Sequence, residues 1–304
     1  MQNTLSAAVT FEGVGLHSGA PVRMTVHPAP ADHGIRFVRT DLGGAEIPAR
    51  WDVVVPSKLC TLVGAADGPS VSTIEHVMAA LAGCGIHNAR IAIDGPEVPI
   101  LDGSAEPFVK GFIETGVVGQ GVPVRALRIL APVEVREGEA WARLEPAGML
   151  EIDFRIDFAD RVIGRQEKRL NMSNGAFVRE LSDSRTFVRN ADVEALRANG
   201  LALGGTLENA VVVEGERVLS PGGLRHADEP VRHKMLDALG DLALAGGPIL
   251  GRYTGSRAGH ALTNRLLRAL FAQPGAWEWV DCGFSTGRKL PGAGVTRADL
   301  RAAG

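Results

Sequence analysis

Cysteine is scarce. Only Cys60, Cys84 and Cys282 occur, far apart and never as C-x-x-C. That excludes a disulfide framework and a cysteine-type zinc finger, and it predicts a reducing, cytoplasmic compartment. Positive charge is not in excess: 32 Lys and Arg stand against 35 Asp and Glu, a formal net charge of −3. Nothing in that balance draws the chain to nucleic acid or to an anionic membrane. Long apolar runs are missing too. The longest stretch without Asp, Glu, Lys or Arg runs from His76 to Ala89, short of the ~18 residues a membrane span needs. The first residues, MQNTLSAAVTFEGVGLHSG, lack a basic segment followed by an apolar one, so no signal peptide is expected. Aromatic residues make up 5% of the chain, which leaves the core to Leu, Val, Ile and Ala. Glycine is abundant, at 38 of 304 residues, but shows no G-X-Y period, which excludes collagen.

At roughly 150 residues per domain, this length predicts two domains. The first quarter reads as strands and turns: Pro21–Val26 and Ile35–Val38 alternate, and Pro, Gly and Asp clusters separate such runs. A helix is expected to start near Ser72, where Ser72 and Glu75 have capping-box spacing, and to stop at Gly83 and Gly85. A strand at 89–93 and a helix at 105–115 follow. The Gly-rich segment 116–123, ending in Pro123, is expected to be a linker. It divides the chain into residues 1–121 and 122–304. Beyond it, strands are expected at 124–129, 133–136, 140–144, 150–158 and 277–280, and helices at 175–181, 192–199, 228–245 and 263–271. Each half runs from strands into a helix carrying His-x-Met, at His76-Val-Met78 and His233-Lys-Met235. This predicts an α+β fold of two similar layers packed face to face, with the His helices meeting at the interface.

The segment from Asp228 to Leu242 carries the densest chemistry. Asp228 suits an N-cap and Pro230 the first turn. At 100° per residue, Val231, Met235, Ala238, Leu239 and Leu242 share one apolar face, while His233, Asp237 and Asp241 line the other, bordered by Lys234. Such a face is either a solvated salt-bridge surface or part of a metal site. His233 and Asp237 have the i, i+4 spacing that puts two ligands on one ion. A catalytic zinc site needs a third protein ligand and an open position. Of the eight histidines, His76 is the best candidate, with Glu75 beside it as a possible general base. Glu75 is equally explained by helix capping, and His76 by burial in a core. No H-E-x-x-H occurs, so the common metalloprotease arrangement is excluded. His260, in a Gly-containing loop before a helix, is a candidate proton donor to a leaving amine. Two other readings remain open on spacing alone: a structural zinc module, and a zinc amidohydrolase acting on some N-acyl sugar.

Several stretches in a fixed order resemble the zinc-dependent UDP-3-O-acyl-N-acetylglucosamine deacetylase family, which makes the committed step of lipid A synthesis. They are Gly13–Gly19, Ser72-Thr-Ile-Glu-His76, Pro99-Ile-Leu-Asp-Gly-Ser-Ala105, Ser184-Arg-Thr-Phe187, Arg232–Asp237 and Gly259–Asn264, spread over essentially the whole chain. The resemblance implies one Zn²⁺ per chain on His76, His233 and Asp237. It implies Glu75 as general base and His260 as general acid, with Lys234, Asp241 and Thr186 in support. It implies two α+β domains, each with a small insert, and a monomer acting on an amphipathic UDP-linked acylated glucosamine. One insert is a βαβ segment at about 188–213, expected to line an acyl passage with Val193, Leu196, Thr206, Ala210 and Val212. Leu59, Cys60, Phe187 and Phe158 are the other implied substrate contacts, Phe158 against the uracil. The family often carries a second cysteine shortly after the position of Cys60; here Leu62 stands instead.

Overall fold

The computed structural model describes residues 1–65 and 67–301; residues 302–304, at the end of the second expected domain, lie outside the described residues. The chain opens with the short strand β1 (Asn3–Leu5), then β2 (Val9–Val14), β3 (Pro21–Pro28), β4 (Ile35–Arg39) and β5 (Ala45–Pro48). A small insert of β6 (Val54–Val55), β7 (Leu62–Gly64) and β8 (Ser70–Val71) leads into α1 (Glu75–Gly83), β9 (Ala89–Ile93) and α2 (Glu106–Thr115). The strand β10 (Val117–Gly119) joins the halves. The second half holds β11 (Arg125–Ile129), β12 (Val133–Glu137), β13 (Ala140–Pro146), β14 (Glu151–Asp157), β15 (Arg165–Asn171) and α3 (Ala176–Glu180). Its insert is β16 (Phe187–Arg189), α4 (Asn190–Ala198), β17 (Val211–Glu214) and β18 (Arg217–Val218). Then come α5 (Glu229–Ala243), β19 (Ile249–Ser256), α6 (His260–Phe271), β20 (Trp277–Asp281) and α7 (Phe284–Gly287). Among the described residues, no helix is long and apolar enough to cross a membrane.

The molecule is α+β, and its two large sheets repeat one plan. The first runs β2-β3-β9-β4-β5, antiparallel throughout except that β4 and β9 are parallel. The second contains β12-β13-β19-β14-β15, with the parallel pair again at the equivalent place, β14 with β19. β11 and β20 extend this second sheet. In both halves the insert falls just before the central helix, and a second helix follows the last shared strand. Alternation builds each layer: in β3, Val22, Met24 and Val26 are buried while Pro21 and Arg23 are exposed. One continuous apolar core joins the halves, with Ile74, Leu81 and Phe108 from the first and Leu236, Tyr253 and Leu266 from the second. Fully burying a side chain of this size stabilises by about 1.5–3 kcal/mol.

The helices α1 and α5 pack on each other between the sheets, as the paired His-x-Met segments predict. Their approach is close because α5 carries Gly240. A Cβ there would lie 2.0 Å from the Glu75 carbonyl oxygen. Only glycine fits that crossing.

Four local expectations are corrected. The capping box does not form: α1 begins at Glu75 without a side-chain cap, Ser72 Oγ donates to the Pro96 carbonyl, and Glu75 is drawn inward by Thr61. Asp228 sits at the N-cap of α5 but makes no cap bond, because Lys168 and Arg232 take its carboxylate. The segment 116–123 is no free linker, since β10 pairs with β1. His260 is the first residue of α6 and not part of the preceding loop.

Candidate functional site

The crossing of α1 and α5 brings His76, His233 and Asp237 together, all three buried, with their ligand atoms within 4.8 Å of one another. Nε2 of His76 lies 3.6 Å and Nε2 of His233 lies 3.3 Å from Asp237 Oδ1. The two imidazoles meet edge to face, centroids 5.0 Å apart. Asp237 Oδ1 is buried and has no hydrogen-bond partner among the described residues. An orphaned carboxylate oxygen facing two imidazole nitrogens is a donor set that suits a divalent cation. His233 Nδ1 lies 3.0 Å from the Ser184 carbonyl. A proton on Nδ1 donated there leaves the Nε2 lone pair facing the cluster, the orienting contact that metal-ligating histidines use. Burial drives the His233 pKa down to about 4, only partly opposed by Asp237, so the ring is neutral at pH 7.

Charges around this set are arranged in a chain. Burial alone would raise the pKa of Asp237, but the His233 ring and the Lys234 ammonium hold it well below the usual carboxylate range. Lys234 Nζ donates to Asp237 Oδ2 at 2.7 Å, and Asp237 in turn keeps Lys234 protonated against burial. Glu75 is buried, which pushes its pKa up. Its Oε2 accepts from the Thr61 N–H at 3.0 Å, and its Oε1 lies 3.8 Å from His260 Nε2. His260 Nδ1 is 2.9 Å from Asp241 Oδ2. Burial would lower the His260 pKa, but Asp241 and Glu75 outweigh it and lift it to about 9. A raised carboxyl and a raised imidazole therefore face each other beside the three-ligand set. One is suited to accept a proton and the other to give one.

The Thr186 N–H donates to the Gly103 carbonyl at 2.8 Å, which ties the Ser184–Phe187 segment to Pro99–Ala105. Phe187 stands edge-on to His233 at 6.3 Å, and Phe158 edge-on to Phe187 at 5.3 Å. Cys60 is buried, and its thiol is pushed up to about 11 by burial and the nearby Glu75, so it stays protonated. Leu59 beside it is exposed, in a left-handed turn with φ 71°. In the second insert, β16 and β17 pair in parallel around α4, the βαβ unit that was expected. There Val193 and Leu196 are half-buried, Ala210 and Val212 buried, and Thr206 exposed.

Two residues of the site escaped the sequence reading. Ser184 contributes through its carbonyl, which no side-chain pattern reports. Thr61 touches Glu75 and also donates from Oγ1 to Asp241 Oδ1 at 2.5 Å, though it is 14 and 180 residues away from them. Its only signal was its place beside Cys60. The Arg185–Glu229 pair, buried beneath the start of α5, likewise fixes that helix against the Ser184 segment.

A family model for UDP-3-O-acyl N-acetylglycosamine deacetylase matches residues 2–272. A protein of Phenylobacterium zucineum is 52% identical over 279 residues, covering 91% of this chain and 95% of its own. One from Shewanella violacea is 49% identical over 293 residues, covering 95% of each chain. One from Shewanella sp. strain W3-18-1 is 50% identical over 282 residues, 92% of each. All three bear the name UDP-3-O-acyl-N-acetylglucosamine deacetylase.

Proposed function

Because the chain belongs to the UDP-3-O-acyl N-acetylglycosamine deacetylase family, we propose that the Glu75–His260 pair hydrolyses an acetamide beside the His76–His233–Asp237 set. The substrate is a UDP-linked 3-O-acylated N-acetylglucosamine, and the products are acetate and the free amine of a lipid A precursor. The observation that carries this reading is the facing of Glu75 Oε1 and His260 Nε2, 3.8 Å apart, next to three buried ligand groups with an orphaned oxygen.

His76, His233 and Asp237 would hold one Zn²⁺, which when bound supplies Lewis-acid polarisation of the amide carbonyl and acidifies water. Glu75 takes the proton from the attacking water; the burial that raises its pKa strengthens it as a base. The Thr186 hydroxyl is assigned to the developing oxyanion. His260, kept charged by Asp241, gives its proton to the departing sugar nitrogen, which leaves poorly without one. Lys234 balances Asp237, so the ligand carboxylate stays ionised in its buried place.

We assign the uracil to Phe158 and Phe187, whose edge-to-face pair borders His233, with Leu59 and Cys60 on the side of the first insert. The acyl chain is assigned to the second insert, along Val193, Leu196, Thr206, Ala210 and Val212. We divide the chain at 121/122. The first large sheet draws only on residues 9–93 and the second only on 125–281, which supports that boundary. A monomer is part of this reading. Three buried free thiols support a cytoplasmic setting.

The test is metal content measured together with acetate release from the UDP-linked acylated substrate. Bound zinc with acetate release is expected. Zinc retained without any acetate release, across N-acyl sugar nucleotides, would overturn the reading.

A further inference from the structure

We propose that Thr61 positions both proton carriers at once, an inference that rests on reading Glu75 as base and His260 as acid. Thr61 is 3% exposed and lies within the first insert, immediately before β7. Its backbone N–H donates to Glu75 Oε2 at 3.0 Å, so Oε1 is the oxygen left facing His260. Its hydroxyl donates to Asp241 Oδ1 at 2.5 Å, so Oδ2 is the oxygen left for His260 Nδ1. A carboxylate's terminal torsion is broad and its two oxygens are chemically alike. A fixed donor on one oxygen is therefore what selects the other. One residue of the first half makes that selection for the base and, across the interface, for the partner of the acid.

Thr61 is itself anchored. Its carbonyl accepts from the Ile74 N–H at 3.4 Å, which ties it to the entrance of α1. Two residues earlier, Leu59 adopts φ 71°, a costly conformation for a branched non-glycine residue. That turn takes the chain from exposed Lys58 and Leu59 to buried Cys60 and Thr61 within two residues. The first insert thus delivers a hydroxyl to a carboxylate of the opposite half.

The experiment is a double-mutant cycle read by kcat, KM and melting temperature. The variants are Thr61→Ser, Thr61→Val, Asp241→Asn and the Thr61→Val/Asp241→Asn double, all zinc-loaded. Thr61→Val keeps the backbone N–H and the shape but strands Asp241 Oδ1 without a donor. It is expected to lower kcat on the order of tenfold, the scale of one unsatisfied buried acceptor, with KM little changed. Thr61→Ser should restore kcat to near wild type. In the Asp241→Asn background, Thr61→Val should cost nothing further in kcat. If the two losses multiply in the double variant, or if Thr61→Val leaves kcat intact while Asp241→Asn lowers it, the proposal is overturned and the acid–base reading stands. If Asp241→Asn itself leaves kcat intact, the reading of the acid fails and takes the proposal with it. Should Thr61→Val not fold, Thr61→Ala, which also lacks the hydroxyl, takes its place in the cycle.

Discussion

The two halves share a strand plan, an insert position and a helix bearing His-x-Met, yet they contribute unlike chemistry to the cluster. Around His76 the neighbours are Glu75, Val77, Ala80 and Cys84; at the same offsets around His233 stand Arg232, Lys234, Asp237 and Asp241. The first half therefore gives one imidazole and a buried carboxyl. The second gives one imidazole, a carboxylate with its ammonium, and the carboxylate that charges His260. Arg232, the counterpart of Glu75, turns away to Asp228 and Glu180. The repeated fold fixes where side chains meet. The residues at offsets −1, +1, +4 and +8 from the histidine decide what the meeting does.

The largest effect expected removes what the halves share. His76→Ala or His233→Ala should each lose most bound zinc, because either leaves only two protein ligands. Elemental analysis of folded protein at equal concentration checks this, and unequal retention would show that the two imidazoles are not equivalent partners. Next in size is a change to what only the first half has. Glu75→Gln should keep zinc and lose kcat by roughly a hundredfold or more, the scale of a lost general base. A lowered melting temperature with near-normal kcat would instead make Glu75 a structural carboxyl.

The contact between halves is tested by Gly240→Ala. A methyl group 2.0 Å from the Glu75 carbonyl must force α1 and α5 apart. Overpacking of this kind costs about 1–3 kcal/mol in stability. Chemical denaturation should show that loss together with weaker zinc binding, since the proposed ligands sit on both helices. Ala210→Leu probes the second insert against the first. Long-acyl substrate should lose about tenfold in kcat/KM, since each excluded CH₂ forfeits about 0.8 kcal/mol, while a short-acyl analogue keeps its rate. An equal fall on both substrates would make this insert a satellite core.

The smallest effect is a titration. In zinc-free protein, His260 should titrate near pH 9, and Asp241→Asn should bring the midpoint down, followed by NMR. The folded value lies above the unfolded one of about 6.5. The stabilisation by this charged ring is thus complete below about pH 6.5 and is lost as pH rises through 9. Added zinc places positive charge beside Asp237 and should lower the midpoint.

The legible parts of the molecule were those with short-range periodicity. The strands at Pro21 and Ala89, the long helix carrying His233, and the pairing of the two His helices all followed from spacing. The bounds of β19, the central strand of the second sheet, did not. Gly251 and Gly255 interrupt it, and Arg252, Thr254 and Ser256 give it a polar face, so it lacks the strand pattern although most of it is buried. β15 was missed for its charge: RQEKRLN lies at a sheet edge, where only alternate residues are half-buried. In the site, Asp237 was legible because it lies one helical turn from His233. The inward turn of Glu75 was not, because it depends on Thr61, whose position is set by tertiary contacts.

The joint between the halves has a kinetic meaning. β10 lies at that joint, and β1 pairs with it residue by residue. Gln2 donates from its N–H to the Val122 carbonyl and from Nε2 to Pro123, and it accepts from Gln120 N–H. Gln120 in turn reaches Ala29, and Asn88 reaches Gln120. The connection is splinted along its length to the first half, while α1 and α5 lock the halves at Gly240. A hinge-like opening would have to break this ladder and unpack a buried helix crossing together. Swinging the two halves apart is therefore a costly motion, because the β1–β10 ladder and the α1–α5 crossing must be lost together.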